Sequence, residues 1–348
     1  AAGGSNNAAT SKDITVYKDW FPQAALEVIF ELEADRLQNL ALDADIIESE
    51  RNVIVSERRS GVDDNNFSRL LEQVYATAYI AHPYQFPILG WPSDIRAWTA
   101  ADLVNYYRAY YAPNNCTMVF TGDVTAEAIF ELAEDYLGGI PAQAPPPPVR
   151  TTEPRQEGVR RITIETATQT PLLHLAFHAG RATDKMTLPL LLLLDVLAGG
   201  DSSRLHRLLV EEQQAAVAVA GWHEAGLDPG LAYFYVTLSP GGAVTSVEAT
   251  VLGELQRVID EGVTAAELAK AKNRRLADYW RGLATIDGKA EALGDYELFH
   301  GSYEKLFEQP AAVEAVTLDD LRNAAAAVFR RSNMTVGVLQ AAADSPSP

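Results

Sequence analysis

The chain has 348 residues, 47% hydrophobic and 22% charged, enough for two compact units of roughly 150 residues each, both with real cores. A formal charge of −19, from 47 acidic against 28 basic residues, argues against a nucleic-acid backbone as the main partner. The single Cys116 excludes an internal disulfide and a thiolate metal cluster.

In chain order, a short strand is expected at Thr15–Tyr17, then helices over about 22–40 and 44–59, with more helix to about Tyr79. After the HPYQFPILG loop come a helix over about 100–110, a strand at Cys116–Gly122 and a further helix from about Ala126. The segment AQAPPPPVRTTEPRQEG carries four consecutive prolines, which neither a helix nor a central strand tolerates. It reads as a linker at 142–158, between an N-terminal domain at 1–141 and a C-terminal domain at 159–340, with a flexible tail at 341–348.

The second half opens with strands at Arg161–Glu165 and LLHLAFHAG. The apolar run LPLLLLLDVLAGG at 188–200 follows; it is too short to cross a bilayer and carries Asp195, so it reads as a buried helix. An alternating strand at LAYFYVTLS and several more helices complete the chain. Neither half shows the regular strand and helix alternation of a doubly wound sheet. The expected class is α+β, with two related domains, each a mainly antiparallel sheet packed against helices.

Duplication is visible directly. TAADLVNYYRAYYAPNNCTMVF (99–120) and TLDDLRNAAAAVFRRSNMTVGV (317–338) align without a gap. They share a threonine cap, Asp102/Asp320, Leu103/Leu321, Asn115/Asn333 and Thr117/Thr335. A threonine followed three residues later by an acid is itself a helix-start signal, so part of the match is open to convergence.

The most informative stretch is DADIIESERNVIVSERR at 43–59. Projected at 100° per residue, Ile46, Ile47, Val53 and Ile54 form one apolar stripe that also contains Glu50 and Glu57, while Glu48 falls opposite with Arg59. Glu50 and Glu57 are therefore expected to face inward, where a carboxylate needs a positive partner: an arginine, a helix N-terminus or a metal. The bland alternative puts both at the stripe's edge, paired with nearby arginines. Seven residues of helix separate them by about 10.5 Å, so one ion cannot take both directly.

ERNVIVSE at 50–57 resembles the E-[RKV]-N-x-V-x-x-E helix of the insulinase/pitrilysin family of zinc peptidases. SNNAATSKDITVYKDW at 5–20 resembles that family's N-A-x-T-S strand, and HPYQFPILG and YYAPNNCTMVFTGDV look like its other recurring segments. The resemblance implies a zinc-dependent metalloendopeptidase subunit acting on peptides or unfolded polypeptides. Carried over by position, Glu57 would be a zinc ligand, Glu50 would support the site from just behind it, and Asn7, Ala8, Ala9 and Thr10 would pair with an extended substrate.

The sequence contains no H-x-x-E-H, the motif that supplies two histidine ligands and the general-base glutamate in this class. Residue 1 is alanine, and the N-terminus reads as a processed or truncated end, so the base is expected upstream of Ala1 and the chain as given is expected to be inert. His174 and His178 stand too far apart along a strand to share an ion, at about 13 Å. His82, His206, His223 and His300 read as structural or exposed.

The family's substrate-holding arginine and tyrosine align with Val210 and Val217, which implies a hetero- or homodimer with a metal-free half carrying that pair. VEEQQAAVAV reads equally as a helix end running into a strand. The family's bacterial members are often exported, which favours a periplasmic setting over the cytoplasm. Two rival readings stand beside the peptidase: a non-catalytic scaffold or processing-partner subunit, and a plain interaction module of two α+β domains.

Overall fold

The computed structural model describes residues 3–342. In chain order its first half contains β1 (Ser5–Thr10), β2 (Thr15–Trp20), α1 (Leu26–Asn39), α2 (Ala44–Arg58), α3 (Asn66–Ala78), α4 (Pro92–Ala97), α5 (Ala100–Tyr110) and α6 (Ala126–Leu137). The second half contains β3 (Arg160–Glu165), β4 (Leu172–His178), α7 (Thr187–Ala198), α8 (Arg204–His206), β5 (Ala216–Glu224) and β6 (Leu231–Leu238). It closes with α9 (Val244–Glu261), α10 (Ala265–Gly282), α11 (Ile286–His300), α12 (Gln309–Ala315), α13 (Leu318–Val328) and β7 (Met334–Gln340). The class is α+β, with helices packed on mainly antiparallel sheets.

Two compact units result, and neither is one continuous stretch of chain. One comprises residues 1–58, 87–150 and 282–304; the other comprises 59–86, 151–281 and 305–348. A single crossing, from Arg150 to Thr151, falls in the proline-rich segment, while the remaining crossings lie far from it. Segments 59–86 and 282–304 are thus grouped with the sheet or hairpin of the opposite sequence half, which a division at 142–158 does not describe. The tail expected at 341–348 lies outside the described residues from 343 onward.

The second unit is built on a five-stranded sheet of order β3-β7-β4-β6-β5. Only β3 and β7 run parallel; β7 with β4, β4 with β6 and β6 with β5 are antiparallel. One face carries Leu173, Leu175, Phe177, Phe234, Val236, Val336 and Val338 into the main core. Helix α7 lies in that core and buries Leu190, Leu192, Leu193, Leu194 and Leu197, with Leu188 and Leu191 half-buried along one side. Asp195 at its flank stays half-buried, 3.7 Å from Arg274 Nε, and burial pushes its carboxyl up.

Helix α3 covers the opposite face, placing Leu70, Val74, Tyr75, Ala78 and Tyr79 against Leu172, Ala176, Leu231, Tyr233 and Leu339. Just beyond α3, the amides of Ile80, Ala81 and His82 converge on the Glu153 carboxylate at 2.9–3.0 Å. Burial pushes that carboxyl up, but the three amides outweigh it and hold it below the ordinary glutamate value.

In the first unit, β1 and β2 form an antiparallel hairpin in which Ala8 opposes Tyr17 and Thr10 opposes Thr15. The segment expected as a strand at Cys116–Gly122 begins extended at Cys116 but forms no strand among the described residues. Side-chain pattern can nominate a strand, whereas a ladder also needs a neighbour at about 4.8 Å, and that is a tertiary matter.

The duplicated segments fold alike. Thr99 with Asp102 and Thr317 with Asp320 each close a reciprocal capping box. Five residues after the helix, Asn115 Nδ2 donates to the Tyr110 carbonyl and Asn333 Nδ2 to the Val328 carbonyl, both at 2.9 Å. Each asparagine satisfies a carbonyl that its helix end leaves open.

Candidate functional site

Helix α2 carries both candidate carboxylates, and the structure corrects which way they point. Glu50 and Glu57 are exposed, and so are their stripe neighbours Ile46, at 51% exposure, and Val53, at 46%. The buried side is centred instead on Ile47 and Arg58, only 6% and 4% exposed, with Arg51 and Ile54 half-buried beside them.

Two arginines account for the rotation. Arg51 donates to the carbonyls of Ile95 and Trp98, and its guanidinium lies 3.8 Å from the centroid of the Trp98 ring. Arg58 donates to the Gly90 carbonyl at 2.9 Å, with its guanidinium 5.8 Å from the Trp91 ring centroid. Arg51 and Arg58 are seven residues apart, as are Trp91 and Trp98, so the two pairs meet in antiparallel order along α2 and α4. Counting arginine as a surface residue hides this seat; the matched spacing was the signal available for it. Arginine buries its stem and stacks its plane on an aromatic ring while its donors reach backbone carbonyls.

Strand β1 presents Asn7, Ala8, Ala9 and Thr10 with all six of its residues exposed. Among the described residues it has a partner along one edge only, which is β2. Asn7 Oδ1 accepts from the Ala8 amide at 2.9 Å, which fixes that side chain locally. An open edge of this kind offers backbone donors and acceptors to an added extended chain.

The histidines have surroundings of their own. His174 is buried, with Phe67 and Tyr235 around it, and burial alone holds its imidazole down to about 4. His178 places Nε2 2.9 Å from the Ala78 carbonyl. His82 is fixed between Asp228 Oδ2, 3.2 Å from its Nε2, and the Tyr84 amide, which donates to its Nδ1. His206 Nε2 lies 3.7 Å from Asp201, and His300 stacks on Tyr296 at 4.4 Å. His223 is buried on β5, and burial holds it down to about 4.

Among the described residues no three histidine, cysteine, aspartate or glutamate side chains gather so as to hold a metal ion. Zinc in a catalytic site takes three protein donors and a water. Glu57 is one accessible carboxylate, so the described residues do not by themselves make up a zinc site. Val210 is half-buried, and Val217 is 55% exposed on β5, at a register shift between Ala216 and Ala218. Neither can donate a hydrogen bond to a substrate backbone from its side chain.

The chain is an α+β fold in which one unit contains both the glutamate-bearing helix α2 and the open-edged strand β1. Two family models cover most of the chain: one described as Peptidase M16 inactive domain matches residues 97–275, and one described as Insulinase (Peptidase family M16) matches residues 1–91. The chain belongs to this insulinase family of peptidases.

It is 28% identical over 342 residues to the zinc protease PqqE of Helicobacter pylori, covering 97% of this chain and 77% of that protein. The crystal structure of a protease from Helicobacter pylori superposes with a TM-score of 0.93 at 26% identity, covering 97% of this chain and 83% of that one. The mitochondrial-processing peptidase subunit beta of Neurospora crassa is 35% identical over 142 residues, which is 40% of this chain and 29% of that protein.

Proposed function

We propose that the chain is the zinc-side part of a zinc-dependent metalloendopeptidase that hydrolyses peptides or unfolded polypeptides. Glu57 would be the carboxylate ligand of the metal, Glu50 would orient the ligands from one layer behind, and Asn7–Thr10 would be the strand beside which an extended substrate adds. The carrying observation is the face of α2 on which Glu50 and Glu57 stand exposed among Ile46 and Val53. Two carboxylates set among apolar side chains and reachable from outside suit a site completed by groups beyond those described here. Zinc, when bound, supplies a Lewis acid. The residues of this chain would hold one ligand, orient it and present the substrate edge, while the general base and two further ligands would come from outside the described residues.

Valine at positions 210 and 217 favours a partner half that carries the substrate-holding arginine and tyrosine, and the Neurospora relative is a subunit by name. The second reading, a scaffold or processing-partner subunit without activity, is favoured by the absence of a three-donor cluster among the described residues and by the match to an inactive-domain model.

Metal content of the full-length protein, measured alongside hydrolysis of an unfolded peptide, separates the two. One zinc per chain with hydrolysis, both abolished in Glu57→Gln, is the expected result. Zinc unchanged in Glu57→Gln refutes the ligand assignment, and a full-length protein that neither binds zinc nor hydrolyses peptide establishes the scaffold.

A further inference from the structure

The internal repeat reaches further back in the structure than the aligned segments, and its helices are exchanged. Helix α3 follows two antiparallel strands and two helices (β1, β2, α1, α2), and α11 follows the matching series β5, β6, α9, α10. Their N-caps match as well: Asn65 accepts from the Ser68 amide at 3.1 Å and Thr285 from the Gly288 amide at 3.0 Å. Yet α3 packs on β7, β4 and β3 of the second sequence half. Helix α11 belongs to the unit of the first half, where Thr121 Oγ1 donates to the Ile286 carbonyl at 2.8 Å and Lys18 to Glu291 at 3.0 Å.

The two seats fit in opposite senses. In the second unit Val74, nine residues after its N-cap, presses on Gly337 of β7; a Cβ at Gly337 would overlap Val74 Cγ2 and stand 3.1 Å from Leu70 Cδ1. In the first unit Gly294, nine residues after its N-cap, faces Val119 of the segment 116–122; a Cβ at Gly294 would stand 3.6 Å from Val119 Cγ2. Val119 and Gly337 are equivalent positions, each twenty residues after its capping threonine. One seat therefore has valine on the helix and glycine on the strand, and the other has glycine on the helix and valine on the segment 116–122.

We propose that Val74, Gly337, Gly294 and Val119 form a reciprocal steric key that commits each repeat's helix to the unit of the other repeat. With the helices unexchanged, Val74 would crowd Val119, while Gly294 over Gly337 would leave a void; close-packed interiors penalise both. The exchange also makes the two sequence halves interdependent for folding, because each unit contains a helix from the other side of the proline-rich segment.

A double-mutant cycle on the full chain, read by thermal unfolding, tests the key. Gly337→Val should lower Tm strongly or abolish folding, and Val74→Gly should lower it less. The double variant rebuilds in the second unit the arrangement found in the first, and should recover about half or more of the Tm lost by Gly337→Val. A double variant that unfolds at or below the Gly337→Val temperature, or does not fold, overturns the key. A protease site inserted after Arg150 tests the exchange separately: the cut chain should give two fragments on a denaturing gel and one particle of unchanged size by gel filtration. Separation or aggregation after the cut overturns the interdependence.

Discussion

Lowering the pH should destabilise the protein through His174. That side chain is 1% exposed on β4, its ring 5.0 Å from the Phe67 ring and 6.1 Å from that of Tyr235. Neither of its ring nitrogens has a hydrogen-bond partner among the described residues. Burial brings its pKa from 6.5 down to about 4. The folded state therefore binds the proton less readily than the unfolded chain. The contribution to stability is whole above the unfolded value, shrinks as pH falls through the interval, and levels off below about 4. Between about pH 7.5 and about pH 5 the loss from this one group comes to about 2 kcal/mol.

His174→Leu removes the titrating group without leaving a buried polar atom behind. Urea unfolding of parent and variant at those two pH values is the assay, because the carboxylates that also titrate are common to both. The parent should lose about 2 kcal/mol more than the variant on acidification. Equal losses would refute the reasoning and mean that the imidazole is solvated or paired in solution. His223, also held down to about 4 by burial, acts in the same direction and remains in both proteins.

Arg58→Met keeps an unbranched stem but removes the donor to the Gly90 carbonyl and the guanidinium beside Trp91. It should cost about 1.5–3 kcal/mol, the worth of a charged hydrogen bond, read by denaturant unfolding, and should speed amide exchange along α2. Thr99→Ala and Thr317→Ala each remove one arm of an equivalent capping box; each should cost about 1 kcal/mol, and the double substitution close to the sum. A clearly smaller cost at either position would show that the box is dispensable there.

Much of this protein is legible in its sequence because the relevant physics is local. The threonine and aspartate caps start α5 and α13 where the motif places them, and the apolar run at 188–200 forms a largely buried helix. The run ERNVIVSE lies within one helix, with its glutamates on one side as the periodicity requires. The resemblance to the insulinase family rests on that run together with the short segments at 5–20, 82–90 and 110–124.

The tertiary structure decided which side of α2 is buried, because that depends on Trp91 and Trp98, some forty residues away, receiving Arg51 and Arg58. It decided that 116–122 stands unpaired among the described residues while its repeat, β7, sits between two strands. It also decided that α3 and α11 change places. A helix's own sequence fixes that it is a helix and which face is apolar, but the sheet it covers depends on which surface matches it, valine to glycine and glycine to valine, far along the chain.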